Sequence, residues 1–342
     1  MTIKFEINGT ELQTDLSSGT DISIPLIFNK NESNGNLQPN NYSVPFAKSI
    51  PYEDGQFVGD INQGGNCNFD VITLIPHCNG THTECLGHIT KEKYTINELL
   101  YDHHTYSILI TVNPILIKDI PLETKLNNSL DNKSLNNKSN NSNNSIKYLP
   151  YSNNSIENYL SNQELQNDYV ITSDLIYDSL IKTLYSNFDL FSNIIPKFNL
   201  MLENRELNKI LRLVNIRSII IRTLPNFEIK KSQNYIASPP AYLTNDAIEL
   251  INILKFKHLL IDLPSVDRQF DNGVLSSHHF FWNVKGNSQP QISNVENLNT
   301  ITEMIYVKTE IVDGFYLLNL QIAPFELDAA PSKPVIYNID LI

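Results

Sequence analysis

A mixed α/β or α+β fold follows from the order of patterns along the chain, with β-type runs before, between and after a helical stretch. Three segments carry this expectation. Ser107 to Ile117 is rich in β-branched residues, Thr244–Leu254 has the spacing of an amphipathic helix, and His258–Asp262 is a short apolar run directly after it.

The elements can be justified in chain order. Asp21-Ile22-Ser23-Ile24-Pro25-Leu26 is a brief apolar alternation ended by proline, and Asn34-Gly35 is a turn signal. Val71-Ile72-Thr73-Leu74-Ile75 is β-branched and apolar, which predicts a buried strand ending at Pro76. From about 125 to 167 the composition shifts to Asn, Ser and Lys repeats that bury too little apolar area to offset their ordering entropy. This segment reads as a solvent-exposed, low-complexity insertion within a single domain spanning 1–342. Ser218–Arg222 predicts a strand, and Thr244 stands where a helix cap is needed. Further strands are expected at Met304–Thr309 and Phe315–Ala323, and no internal repeat is evident.

Composition narrows the function. With 41% hydrophobic residues the chain can bury a substantial core. Its 25 Lys+Arg against 37 Asp+Glu leave a formal charge of −12, which repels phosphate backbones, so nucleic acid is not an expected partner. No apolar run reaches the ~18 residues needed to span a membrane. The first residues lack the apolar stretch of a secretory signal, and Cys67, Cys78 and Cys85 are too few for a disulfide framework. A cytoplasmic protein with reduced thiols is the expectation.

The most informative stretch is Pro76-His77-Cys78-Asn79-Gly80-Thr81-His82-Thr83-Glu84-Cys85-Leu86-Gly87-His88, which concentrates imidazole, thiol and carboxylate. These are the usual ligands of zinc and similar ions. Positions two apart on an extended chain face the same way, so Cys78, His82 and Glu84 can converge there, with Gly80 supplying a bend. The rival is a polar loop with coincidental histidines.

The stretch Cys78-x-Gly80-Thr81-His82-x-Glu84-x-x-x-His88 resembles the His-x-Gly-Thr-His-x-Asp-x-Pro-x-His signature of the cyclase family of metal-dependent hydrolases. That family includes bacterial kynurenine formamidase and isatin hydrolase. Asp21-Ile22-Ser23-x-Pro25-Leu26 is similar to the family's N-terminal strand. Arg222-Thr223 with Pro239-Pro240-x-Tyr242-Leu243-Thr244 is similar to its central strand and following helix entry. Asp262-Leu263-Pro264-Ser265-Val266-Asp267, Ser277-His278 and Val295-Glu296-Asn297-Leu298 are similar to three further family elements.

The resemblance implies a single α/β domain of the swivelling β/β/α type, with a mixed sheet and flanking helices, assembled as a homo-oligomer (dimer or tetramer). It implies metal ligands at Cys78, His82 and Glu84, joined by His88, His278 and Glu296 as further ligands or acid–base groups. The implied activity is arylformamidase-like hydrolysis of a small molecule's amide, formamide, cyclic amide or lactone. Two rivals stand beside it: a non-catalytic metal-containing module that binds a small molecule, and a carbonyl lyase or cyclase. The chain departs from the signature in three places. Cys78 stands for the first histidine, with His77 one residue earlier, Glu84 stands for aspartate, and Leu86 for proline. A thiolate at Cys78 would favour Zn2+ over Mn2+. Such changes point to a subgroup with its own metal or substrate.

Blander roles are expected for the remaining candidates. His279 is expected to pack, His103 and His104 to cap a helix end, and Cys67 and Cys85 to be small buried residues. Trp282, Phe280 and Phe281 read as core, and Asp262, Asp267 and Arg268 fall outside the catalytic set.

Overall fold

The computed structural model describes residues 1–28, 38–120, 163–284 and 298–342. Glu296, the Asn34-Gly35 turn and all of the Asn-rich segment except 163–167 lie outside the described residues.

Seven strands form a closed, barrel-like sheet in the order Gly314–Ile322, His104–Val112, Ile216–Thr223, His258–Ile261, Thr300–Glu303, His82–Glu84 and Ala329–Asn338, which pairs back onto Gly314–Ile322. The short strand Thr20–Asp21 adds to Ala329–Asn338 from outside. Strands His104–Val112, Ile216–Thr223, His258–Ile261 and Thr300–Glu303 run parallel, and the other pairings of the ring are antiparallel.

The parallel strands are apolar at successive positions because both of their faces are covered. Leu109, Ile220 and Leu260 pack on one face with Leu318 and Ile336. Ile108, Ile219, Leu259 and Ile301 pack on the other against helical residues such as Ile176, Leu180, Ile248 and Ile251. Those come from helices Ser173–Ser186 and Asn245–Ile253. Trp282 and Phe281 are fully buried in the same layer as expected, whereas Phe280 is 40% exposed.

Several expectations are corrected. Val71–Ile75 is not a buried strand: the observed strand is Asp70–Thr73, with Val71 46% and Ile72 56% exposed. It pairs only with Lys48–Pro51, so its β-branched residues serve a two-stranded ribbon and not the barrel. The strand expected at Met304–Thr309 is Thr300–Glu303, because Met304 adopts a left-handed φ of 57° and ends the extended run. His104 opens a strand rather than capping a helix, and His103 Nδ1 lies 3.3 Å from the Leu320 carbonyl of the neighbouring strand. Cys67 is exposed, and only Cys85 of that pair is buried. Thr244 precedes the first helical residue, but its hydroxyl donates to the Ile171 carbonyl (3.1 Å) instead of capping. No helix among the described residues is long and apolar enough to cross a membrane.

Candidate metal centre

The barrel brings polar side chains together where its parallel strands end. Glu303 is the last residue of Thr300–Glu303, and it pairs in register with His82, the first residue of His82–Glu84. Within that short strand His82 and Glu84 are two apart and share a face, as the alternation required. Both side chains are buried.

The approach to that strand differs from the extended stretch expected. Pro76 starts a helical turn, Pro76–Asn79, as its fixed φ favours. Asn79 locks the turn by accepting from the Ile75 amide (2.7 Å) and donating to the Pro45 carbonyl (3.2 Å). Successive side chains on a helical turn are rotated by ~100°, so neighbours at 77 and 78 point apart. Gly80 is extended (φ 169°) and provides no bend. A Cβ there would lie 3.1 Å from both the Ile24 carbonyl oxygen and Leu26 Cδ2, so glycine permits close approach.

Two groups of ligand-type atoms result, each with members within 4.8 Å of one another: His77, Glu84 and His88, and Glu84, His278 and Glu303. Glu84 belongs to both. Its Oε2 is 3.7 Å from His77 Nε2 and 3.9 Å from His88 Nε2, and its Oε1 is 2.8 Å from His278 Nε2. Glu303 Oε1 lies 3.9 Å from His278 Nε2, and its Oε2 lies 3.5 Å from His82 Nε2. Of the residues implied by resemblance, His82, Glu84, His88 and His278 are thus gathered here. Cys78 lines the same cavity but belongs to neither group, and His77 stands where the signature suggested Cys78. Glu303 and Asp328 were missed by sequence reasoning. Glu303 sits in an ordinary Thr-Ile-Thr-Glu alternation, and Asp328 in an unremarked loop, so neither carries a local signal.

Fixed acceptors hold three of the rings by Nδ1 and leave Nε2 facing inward. His82 Nδ1 is 3.1 Å from the Gly80 carbonyl, His88 Nδ1 3.1 Å from Asp328, and His278 Nδ1 2.5 Å from Asp267. Such partners set tautomer and orientation in metal-binding histidines. Asp267 also accepts from the Ser277 and His278 amides (2.6 and 3.2 Å), so it anchors the start of helix Ser276–Phe281 as well as the ring. The Glu303 carboxylate is held by the Val266 amide (2.7 Å).

Electrostatics follow from this crowding. Burial works against a charge on Glu84, but the facing His88 and His278 outweigh it and hold the carboxyl below its ordinary range. Burial likewise works against a charge on His278, yet the Glu84 charge and the Asp267 hydrogen bond raise its pKa well above the ordinary value. Contacts from His77 and His88 hold Asp328 low. Cys78 goes the other way, pushed up to about 12 by burial and by Glu303. Burial and the Glu303 charge thus disfavour its thiolate while no ion is present, and Cys78 belongs to neither ligand group. Tyr42, on the same cavity, is also pushed up to about 12 by burial and the Glu303 charge, and remains a phenol.

The donor set fits a divalent ion. His82 Nε2 and Glu84 Oε2 are buried and make no hydrogen bond among the described residues. Each such atom costs about 1–3 kcal/mol, and a coordinated cation would satisfy both. Imidazoles and carboxylates suit zinc and manganese alike. Glu84, His77, His88, His278 and Glu303 line a cavity of about 550 Å3 together with Pro264, Ser265, Gln269 and Phe270.

No family model and no curated protein matches the chain. Among solved structures it is similar to a predicted metal-dependent hydrolase from Bacillus stearothermophilus at 12% identity and TM-score 0.46, covering 94% of this chain and 98% of that one. It is similar also to isatin hydrolase A from Labrenzia aggregata bound to benzyl benzoate, at 10% identity and TM-score 0.48, with 94% and 95% covered. A third is a novel cyclase, at 11% identity and TM-score 0.45, with 94% and 89% covered. At these scores the likeness adds no argument to the residues themselves.

Proposed function

We propose that this chain is a metal-dependent hydrolase of a carbon–nitrogen bond in a small molecule, with an amide, formamide or cyclic amide as substrate class, on a domain of the swivelling β/β/α type. One observation supports the reading above the rest. Glu84 faces His77, His88 and His278 at once, beside Glu303, in a cavity of about 550 Å3. That volume suits a small ligand. A closed structural site would instead bury four ligands with no cavity against them.

His77, Glu84, His88, His82 and Glu303 would hold the ion. When bound, a divalent ion would supply Lewis acidity to a carbonyl and bring the pKa of water down from 15.7 towards about 7. The remaining chemistry belongs to the chain. His278, braced by Asp267 at 2.5 Å, presents Nε2 where it can carry a proton to a leaving nitrogen. Tyr42, held as a phenol, can donate to a carbonyl oxygen that gains charge as the bond breaks. Ser265 and Gln269 offer hydrogen bonds to the polar edge of a substrate.

The test is elemental analysis of protein purified without chelator, followed by a turnover screen of formamides, cyclic amides and lactones. A stoichiometric divalent ion, lost together with turnover in Glu84→Ala, is the expected result. Protein that takes up neither zinc nor manganese and hydrolyses nothing would overturn it.

A further inference from the structure

Asp328 approaches the centre from the strand Ala329–Asn338 and touches two of its histidines. Asp328 Oδ2 lies 3.0 Å from His77 Nε2 and 3.1 Å from His88 Nδ1. The two rings are stacked, with centroids 4.5 Å apart and planes at 29°. Backbone pairing fixes the carboxylate there: the Cys85 amide donates to the Asp328 carbonyl (3.0 Å), and Ala329 is in register with Glu84. Gly87 makes the approach possible. A Cβ on it would lie 3.2 Å from Asp328 Cβ and would run into the Tyr94 carbonyl.

The chemistry follows from the two ends of each ring. With Nδ1 of His88 held by a carboxylate, that nitrogen carries a proton and Nε2 faces Glu84 Oε2 at 3.9 Å. His77 differs, because it meets the same Asp328 oxygen at 3.0 Å through Nε2, the nitrogen that also faces Glu84 at 3.7 Å, so Asp328 does not hold that ring by its far side. Without Asp328 the His88 ring gains rotational freedom and can place its proton on the nitrogen that must bind the ion.

We propose that Asp328 is a positioning residue that clamps His88 by Nδ1 in ion-binding orientation and so sets the affinity of the centre for its divalent cation. This rests on the metal-dependent reading above. It adds a carboxylate that acts through the His88 ring, as distinct from a further ligand.

Two measurements test it. In Asp328→Asn, titration with Zn2+ or Mn2+ should show affinity about 10–100-fold weaker, with the same number of ions bound at saturation. Glu326→Gln, two residues away and paired with Asn97, should leave affinity unchanged. In metal-free wild-type protein labelled with 15N-histidine, the His88 ring should carry its proton on Nδ1, and this signal should be lost or redistributed in Asp328→Asn. The wild-type spectrum needs no variant to fold. Affinity unchanged in Asp328→Asn, fewer ions bound at saturation, or a His88 proton on Nε2 would each overturn the clamp alone. Wild-type protein that binds no ion would overturn both the functional reading and the claim on affinity.

Discussion

His278 Nε2 stands 2.8 Å from Glu84 Oε1, although the two residues are 194 positions apart in the chain. Barrel closure makes this contact, because Glu84 ends a strand paired to both Thr300–Glu303 and Ala329–Asn338 while Asp267 steadies the helix bearing His278. Glu84 is therefore the hub of the centre. Glu84→Gln should weaken divalent-ion binding by more than about 100-fold, beyond what loss of an outer-shell partner does, as read by calorimetric titration.

His77 and Cys78 are neighbours with opposite expected behaviour. His77 belongs to an ion-binding group, whereas Cys78 is a buried thiol that belongs to none. His77→Ala should lower metal content after desalting. Cys78→Ala should retain it, at a stability cost of about 1 kcal/mol for the atoms removed from a packed site. Metal lost in Cys78→Ala and kept in His77→Ala would restore the signature's order over the observed geometry.

Glu303 should behave as part of the centre. It faces His82 at 3.5 Å and His278 at 3.9 Å, and is buried. Glu303→Gln keeps the size and the acceptor for the Val266 amide but removes the charge, so turnover and ion affinity should both fall while the melting temperature changes little. Thermal unfolding beside metal titration separates the two effects.

Away from the centre, Asp102 supports the other end of the barrel. Burial works against its charge, but hydrogen bonds from His258 (3.2 Å) and Lys257 (2.6 Å) outweigh this and hold its carboxyl well below the ordinary range. A depressed folded-state pKa gives stability that is complete above the unfolded value of about 3.9 and disappears as pH falls further. Asp102→Asn should therefore cost about 1–3 kcal/mol at neutral pH, and denaturant midpoints of mutant and wild type should converge progressively below about pH 4.

Trp282 offers a check on the helical layer. It is fully buried, and its Nε1–H donates to the Asn299 carbonyl at 2.8 Å. Trp282→Phe strands that carbonyl and leaves a small cavity, at an expected cost of about 2–4 kcal/mol read from urea unfolding by circular dichroism.

Much of this architecture was legible in the chain. Ile219–Ile221 and Leu259–Ile261 are continuous apolar runs because both faces of those strands are covered, and such runs are visible without any tertiary knowledge. His82, Glu84 and His88 stood out because local spacing placed ligand types within one short stretch. Val71–Ile75 misled for the same reason: its β-branched residues signal a strand but not what covers it. Glu303 and Asp328 were silent, since a single carboxylate has no neighbours in sequence to mark it.

The sequence by itself determined the mixed α/β character, the density of metal-ligand chemistry between residues 76 and 88, and the acidic net charge of −12. These depend on composition, periodicity and short-range sterics, which each segment carries alone. Only the tertiary structure decided that His77 joins Glu84 and His88 while Cys78, on the same cavity, belongs to neither group, because a proline-started helical turn rotates adjacent side chains apart. It alone decided that Glu303, Asp267 and Asp328 complete the centre. Asp328 and Glu303 meet partners far away in the chain, which closure of the sheet carries within reach, whereas Asp267 meets His278 eleven positions on.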